Sequence, residues 1–572
     1  MLKELAANRL SEQQLLIRTI EAMEEAYNPQ VKMLRSPFSS PGYHTTIKKA
    51  DYIHSTHSSL IYALGLLDTE LERYEIRAFD IFDQLVTLQD TDRSRSTFGI
   101  WSWFYEEPLD QMSPPDWNWA DFCGKQLVIA LSRHGNRFPA PLYEGVKQAI
   151  YNACDAIIIR NIGPHYTNIA IMGAFVTLIT GELFGESRYA EYGMDRLQKL
   201  YDLTMERQAF QEYNSPTYTT VAILELSKMV AQTANPAAKG LAEKLLHMAW
   251  DSVAEHYHAA TGQWSGPHSR CYSTLLSKNH QAFLQMATEG VLAFFGWDDL
   301  PYDLEWYKAG IVCPVELRSG FVTSEERLLR HKYAVHEHDQ SEKWATTYMT
   351  PRYSLGSFNN EIMWNQTRTM LAYVDNDGKP AYAQLRFLHD GYDYCSAIFH
   401  SIQQKEHVLF GISFITNGGD THPNLDKIAG SIVAQDFRIR LELSGNLEQV
   451  SCRVKDQSAE VAVGDTVIRL KQWYAAFEEE AEGTRGLQLK GWQVNKLDNG
   501  KLALDFVIYS GEAKQIDFRK LYKAAFVGSL SVDSQGSDIS VEVTEDSGLI
   551  NARSLSQEED MVLSLPLKPI RR

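Results

Sequence analysis

The spacing of apolar residues changes once along this 572-residue chain, and that change limits the fold more than any other feature. Up to about residue 310 the spacing is helical. In NIAIMGAFVTLITGELFG, Ile169, Met172, Val176, Ile179 and Leu183 follow the 3.6-residue period, and Gly185 stands where a helix would stop. From about residue 345 apolar and polar residues alternate, with β-branched and aromatic enrichment, as in AYAQLRF, HVLFGISFI and KLALDFVIY. Turn signals such as Asn376-Asp377-Gly378 and Asn417-Gly418-Gly419 separate those runs. The expected organisation is α+β and multidomain: helices over 1–310, a charged linker over 311–344, and an antiparallel β-sheet sandwich over 345–572.

The helical part carries a repeat. Pro115, Pro164, Pro216 and Pro267 stand at or just ahead of four expected helix starts, at intervals of 49, 52 and 51 residues. Such an interval holds two helices of roughly 15–20 residues with their loops, which is one helical hairpin of a repeat architecture. Hairpins stacked at constant rotation stay open as a solenoid or close into a ring, and five or six would close an (α/α) toroid. Every second helix then starts on the same side, so four distant loops are expected around one mouth.

Those loops are rich in groups that act on sugars. The first holds Trp117, Asn118 and Trp119; the second His165, Tyr166 and Asn168; the third Tyr213, Asn214 and Tyr218; the fourth His268, Arg270 and Tyr272. Capping explains some of them singly, as with Ser215 before Pro216. It does not explain why His, Arg and several Tyr recur at one mouth, as a site requires.

Cleaving a uronic-acid glycoside by β-elimination removes the C5 proton beside a carboxylate. The enzyme must neutralise that carboxylate with Asn, Arg or a helix N-terminus, and must supply a base for C5–H and an acid for the departing O4. Hydrolysis instead asks for two carboxyl groups roughly 5–9.5 Å apart. Asp116 and Glu212 are present, but His, Asn and Tyr dominate the loops, which favours elimination. With GPHYTN, EYNSPTY, GPHSRCY and YMTPRYSLGSF as its motifs, the chain resembles the (α/α)-toroid polysaccharide lyases, the heparinase II/III-like and alginate-lyase-like group. It is similar also to lyases that act on rhamnose-capped glucuronate. The resemblance implies Asn214 as the carboxylate neutraliser, His268 as base, Tyr272 as acid, with Tyr218 competing for either role. Arg270 would clamp a carboxylate, and His165, Asn168, Trp117, Tyr213 and Tyr353 would line the substrate site. Tyr218 could instead be plain core, since the apolar period runs through it, and Arg270 could pair with a neighbouring acid.

Charge and composition limit the partners. With 55 Lys+Arg against 73 Asp+Glu the formal charge is −18, which argues against nucleic acid or any long polyanion across the surface. It leaves room for one carboxylate entering a mouth lined by Asn214, His268 and Arg270. The N-terminal stretch lacks the 7–15-residue apolar block of a secretory signal. No uninterrupted apolar run reaches ~18 residues, so no membrane span is expected. The six cysteines are scattered without a CxxC pair, and are read as reduced thiols in a cytoplasmic protein. His336-Glu337-His338-Asp339 would put two His on one face of an extended segment, but two ligands do not make a metal site; the segment is read first as charged linker, with a metal pair or a contribution to the cleft left open, and neither metal nor cofactor is expected. Trp101, Trp103 and Tyr105 are expected to pack between hairpins. Phosphate-loop, dinucleotide and Gly-x-Ser-x-Gly signatures do not occur. The expectation is a lyase taking an acidic oligosaccharide or a chain end. The alternatives are a glycoside hydrolase using Asp116 or Glu212, and a non-catalytic carbohydrate-binding protein.

Overall fold

The computed structural model describes residues 10–40, 43–336, 339–455, 457–479, 487, 489, 491–533, 539–555 and 560–572. It divides into two compact units. The first comprises Met1–Glu206, Thr219–Trp250 and Lys278–Val315; the second comprises Arg207–Tyr218, Asp251–Ser277 and Glu316–Arg572. Two stretches of the helical half, 207–218 and 251–277, therefore belong with the β strands.

The helices run α1 (Glu12–Met23), α2 (Thr56–Asp68), α3 (Glu72–Thr87), α4 (Trp119–His134), α5 (Ala140–Arg160), α6 (Thr167–Phe184), α7 (Ser187–Arg207), α8 (Pro216–Gln232), α9 (Pro236–His256) and α10 (Lys278–Ala287). Local chemistry sets their ends. Ser11 and Gln14 form a capping box at α1, and Gly185, at φ 72°, ends α6 by returning its N–H to the Gly181 carbonyl. Helix α2 packs on α4 and α4 on α6, while α3 packs on α5, so alternate helices form two layers. Burial separates the layers. Helix α6 is buried on all sides along most of its length, although its length and hydropathy would suit a membrane span. Helix α3 is buried only along the stripe Tyr74, Ala78, Ile81, Phe82 and Leu85.

The ends of the helical unit meet. The Arg18 guanidinium donates to the carbonyls of Asp298 and Leu300, and the Tyr307 hydroxyl bonds Gln13. The helices thus close as an (α/α) toroid. Inside it, Lys125 lies 2.6 Å from Glu225 and 2.8 Å from Glu305, and Lys228 lies 3.1 Å from each of the same two carboxylates. Trp101 is buried as expected, with Nε1 donating to the Leu85 carbonyl at 2.8 Å, but Tyr105 is exposed. Three short antiparallel strands, β1 (Tyr27–Asn28), β2 (Met33–Ser39) and β3 (Lys49–His54), complete the unit.

The second unit opens with the hairpin β4 (Tyr257–His258) and β5 (Gln263–Trp264). The stretch expected as linker instead carries β6 (Arg327–Val335) and the start of β7 (Glu342–Met349), which pair as an antiparallel hairpin at the edge of a sheet. There follow β8 (Tyr353–Phe358), β9 (Asn360–Ile362), β10 (Met370–Asn376), β11 (Lys379–His389), β12 (Tyr392–Asp393), β13 (Ala397–Gln404), β14 (His407–Phe414) and β15 (Ser431–Gly445). After them come β16 (Ser451–Lys455), β17 (Ser458–Val463), β18 (Thr466–Glu479), β19 (Trp492–Lys496), β20 (Leu502–Asp517), β21 (Leu521–Asp533), β22 (Val541–Asp546), β23 (Leu549–Ser554) and β24 (Val562–Pro566).

Among the described residues these form an antiparallel sheet of order β19-β20-β15-β11-β10-β8-β7-β6, with β12 paired to β11, and a second of order β16-β17-β18-β21-β14-β13-β9. One apolar core joins them, with Leu355, Val374 and Ile439 from the first sheet against Phe399, Phe410 and Phe526 from the second. The expected antiparallel β-sandwich is present. The small sheet β22-β23-β24 covers Leu409, Ala525 and Val527 on the outer side of the second sheet.

Candidate functional site

The third and fourth sequence loops lie in the second unit, where main-chain bonds hold them together. The Ser269 N–H and hydroxyl both donate to the Tyr213 carbonyl, at 3.2 and 2.8 Å, and the Ser215 hydroxyl donates to the Arg270 carbonyl. Ser215 also caps α8, accepting from the Tyr218 N–H at 2.9 Å, with Pro216 as the first helical residue. The fourth proline does not lead into a helix. After Pro267 the chain pairs with the segment before β10: His268 and Arg368 exchange bonds of 3.3 and 2.9 Å, and the Cys271 N–H donates to the Gln366 carbonyl at 2.6 Å. Gly356 of β8 lets the loop sit down, because a Cβ there would stand 1.9 Å from the Gly266 oxygen. The Thr347 hydroxyl then donates to that same oxygen at 2.7 Å.

This anchoring engages two expected catalytic residues. Asn214 is 3% exposed and adopts φ 46°, a left-handed conformation that Asn tolerates. Its Nδ2 donates to the carbonyls of Ser265 (2.7 Å) and Pro267 (2.9 Å), and its Oδ1 accepts from Trp264 Nε1 at 2.5 Å. Both Nδ2 hydrogens are thus bonded within the loop, and neither is left for a substrate carboxylate in this arrangement. His268 is 0% exposed, and its Nδ1 lies 2.6 Å from the Asn214 carbonyl. The enclosed ring presents no face to solvent here, and its Nδ1 contact ties the fourth loop to the third.

The other two expected catalytic residues meet at the surface. The hydroxyls of Tyr218 and Tyr272 lie 2.8 Å apart, and Tyr272 is 58% exposed. Arg270 Nη2 donates to the Tyr218 oxygen at 2.9 Å and Nε donates to Gln366 Oε1 at 2.7 Å, while Nη1 lies 3.6 Å from Glu212. The guanidinium lies 4.5 Å from the Tyr218 ring centre and 5.0 Å from that of Trp364. Burial pushes the Tyr218 hydroxyl well above the usual tyrosine range, while the Arg270 charge pulls it down. Tyr218 therefore stays protonated. Since its oxygen accepts from Arg270, its proton is free to go to the Tyr272 oxygen.

Gln366 and Trp364 were not anticipated. The Trp364-Asn365-Gln366-Thr367-Arg368 run interrupts the β alternation, and that interruption was the available signal. Trp364 Nε1 is buried without a hydrogen-bond partner, and the ring stands edge-on to His422 at 5.4 Å.

Tyr213, expected to line the substrate site, is buried among Tyr333, Ala345 and Phe358 and forms the middle of a hydrogen-bonded chain. His256 Nδ1 faces the Ser252 carbonyl at 2.8 Å, so that nitrogen carries the proton and Nε2 accepts from the Tyr213 hydroxyl at 2.9 Å. The Tyr213 oxygen then accepts from His331 Nδ1 at 3.1 Å, leaving a lone pair on His331 Nε2, 3.9 Å from Glu255. Burial first, then neighbouring His331, pulls His256 down to about 3; burial first, then Asp251, raises the Glu255 carboxyl to about 6. Tyr353 also lies in a core, beside Tyr348 in the sandwich, which removes it from the substrate surface.

The first and second loops lie in the helical unit. Trp117 is half-buried with Nε1 on the Ser96 carbonyl at 2.8 Å, and Arg160 at the end of α5 bonds the Asn118 side chain at 2.6 Å. Asp116 is buried and accepts from Trp103 Nε1 at 3.2 Å. Asn168 is buried in the first turn of α6, whereas His165 is exposed. His338 lies outside the described residues. Among those described, no group of three His, Cys, Asp or Glu side chains is placed to hold a metal ion. None of the six cysteines forms a disulfide.

A family model described as a domain of unknown function (DUF8769) matches residues 13–293. None of the curated proteins matches the chain. Among solved structures the chain is similar to heparinase III, with a TM-score of 0.45 and 11% identity over 90% of this chain and 82% of that one. It is similar also to a mutant of the heparan sulfate lyase HepC from Pedobacter heparinus, with a TM-score of 0.32 and 10% identity over 90% and 81% of the two chains. A third structure, the endoglucanase CelQ from Clostridium thermocellum complexed with cellobiose and cellotriose, aligns with a TM-score of 0.25 and 8% identity over 86% and 72%.

Proposed function

We propose that this protein is a carbon–oxygen lyase that cleaves a uronic-acid-containing oligosaccharide by β-elimination. The observation that carries the reading is the order Arg270, Tyr218, Tyr272, with a hydrogen bond at each step and the last hydroxyl at the surface. The guanidinium supplies the positive charge that a uronate carboxylate needs before its C5 proton becomes removable. Tyr218, held protonated, donates to the Tyr272 oxygen and supports negative charge there. As a phenolate, Tyr272 takes the C5 proton; as the C4–O4 bond breaks and the C4–C5 double bond forms, it returns that proton to O4. One phenol on one face of the ring serves both arms, and no proton is gained or lost over the cycle.

Hydrolysis has less support. Glu212 is the one carboxylate bonded to this cluster among the described residues, and it is buried against Arg270, whereas a hydrolase needs two. An acidic oligosaccharide or chain end fits a chain of charge −18 better than a long polyanion does.

Incubation with uronate-containing oligosaccharides tests the reading. Elimination gives an ultraviolet-absorbing product lighter by one water than the product of hydrolysis. Tyr272→Phe is expected to lower kcat about 100-fold or more, and Glu212→Gln to keep most of the turnover. A hydrolytic product, or full turnover by Tyr272→Phe, would overturn the assignment.

A further inference from the structure

The hairpin of β6 and β7 has two faces, and only one of them serves the hydrogen-bonded chain through Tyr213. On that face Arg327 donates to the Ala254 and Tyr257 carbonyls, and His331 bonds Tyr213. The opposite face, by the two-residue alternation of a strand, presents Leu328 and Arg330 from β6 and Trp344, Thr346 and Tyr348 from β7. These residues form one wall of a cleft of about 870 Å³, whose other wall comes from β13, the turn to β14, and β24. The cleft shares no residue with the Arg270–Tyr218–Tyr272 cluster.

The lining states what the cleft can take. Trp344 is half-exposed, with the Arg330 guanidinium 5.0 Å from its ring centre. The Thr346 hydroxyl and the Gln404 amide are half-buried in the cleft and make no side-chain hydrogen bond among the described residues. Most of the charge is already matched within the protein: Lys405 lies 3.1 Å from Glu326, and Glu342 accepts from Trp344 Nε1 at 2.9 Å and from Lys332 at 3.1 Å. Three carboxylates, Glu326, Glu342 and Glu406, stand against two cations, Arg330 and Lys405, so the cleft does not favour an anion. A lipid or apolar peptide would bury the free hydroxyl and amide without partners, at a cost of about 1–3 kcal/mol each.

We infer that this cleft binds a neutral oligosaccharide segment, with one ring packed on Trp344 and its hydroxyls bonded to Thr346 and Gln404. A sugar ring has an apolar C–H face and a polar rim, which matches an indole flanked by a hydroxyl and an amide. A cleft of this volume falls in the size range of small-ligand sites, roughly 300–1,000 Å³, and is large enough for a short saccharide. The inference is independent of the elimination chemistry, because a neutral segment needs no Arg270.

The experiment is titration of the full-length protein with cellotriose, xylotriose, mannotriose and maltotriose, with trigalacturonate as the acidic comparison, followed by calorimetry and saturation-transfer NMR. At least one neutral trisaccharide is expected to saturate. Trp344→Ala should weaken it about tenfold, the Thr346→Val/Gln404→Ala double variant should weaken it comparably, and Tyr272→Phe should bind as the parent does. If Trp344→Ala does not fold, Trp344→Phe combined with Gln404→Ala replaces it and should weaken binding in the same direction. Failure of every neutral trisaccharide to saturate, saturation by trigalacturonate alone, or unchanged affinity in the cleft variants would overturn the inference.

Discussion

At the residue scale, the proposed elimination divides its labour between two tyrosines joined to one guanidinium. Tyr218 is half-buried and kept protonated, whereas Tyr272 stands exposed with the Tyr218 hydroxyl 2.8 Å away. Tyr218→Phe removes the donor that supports charge on the Tyr272 oxygen but leaves Tyr272 in place. The expected result is elimination with kcat lowered about tenfold or more, read against the parent under the same conditions. An unchanged kcat would leave Tyr218 a packing residue. Asn214 shows what residue type alone leaves undetermined. Asn suits a carboxylate as a donor, but every polar atom of this amide is bonded to its own loop. A one-dimensional string shows which donors exist, and hydrogen-bond saturation becomes visible only once the chain is folded.

At the scale of the element, buried charge holds the helical unit and a missing side chain positions the site. Lys125 on α4 and Glu225 and Lys228 on α8 are all within 2% exposure, and with Glu305 they tie two helices to the closing segment of the toroid. Burial pulls Lys125 down, but the carboxylates of Glu225 and Glu305 outweigh it and hold its ammonium above the usual lysine range. Lys125→Met leaves two carboxylates facing one cation, and is expected to cost about 3–5 kcal/mol in urea unfolding. Lys125→Met with Glu225→Leu, which removes one charge of each sign, should recover much of that loss. In the second unit the side chain that matters is the one Gly356 lacks. Gly356→Ala places a Cβ into the Gly266 carbonyl, so the loop bearing Arg270 and Tyr272 must move. The expected outcome is a loss of about 1–3 kcal/mol of stability together with elimination activity, checked by unfolding and turnover on one preparation.

At the scale of the whole molecule, buried imidazoles set the response to acid. Burial is the first cause in each case: it lowers His57 and His280 to about 4, and His256 and His400 to about 3. An unfolded histidine titrates near 6.5. The unfolded chain therefore binds protons that the folded chain refuses, and the contribution of these groups is fully present above about 6.5 and is lost as pH falls below it. Asp121, raised to about 7, and Glu255, raised to about 6, both chiefly by burial, act in the opposite sense and lose stability as pH rises through the same range. His336 is lowered likewise to about 4, and His258 and His331 are lowered too, whereas His389 and Asp303 are raised and act in the same sense as Asp121 and Glu255. The lowered imidazoles outnumber the opposing groups, which leaves a net loss on acidification, at about 1.4 kcal/mol per pH unit for each fully titrating group in excess. The thermal midpoint should fall between pH 7 and pH 5, before ordinary carboxylates titrate; a constant or rising midpoint would contradict the sign.

The architecture was legible in the amino-acid order alone, because apolar period is a local property written along the chain. The 3.6-residue spacing through α6, the stop at Gly185 and the alternation through β11, β14 and β20 needed no partner to be legible. The proline interval located three helix starts, α4, α6 and α8, and brought Asn214, Tyr218, His268, Arg270 and Tyr272 to notice as one set. Which of that set faces solvent depends on contacts that form only on folding. The fourth proline leads into a strand-like pairing with Arg368, residues 54 apart lock Asn214 under His268, and Gln366 arrives 96 residues after Arg270 to hold its guanidinium. Exposure and hydrogen-bond partners depend on contacts between distant segments, and no local pattern of spacing encodes them.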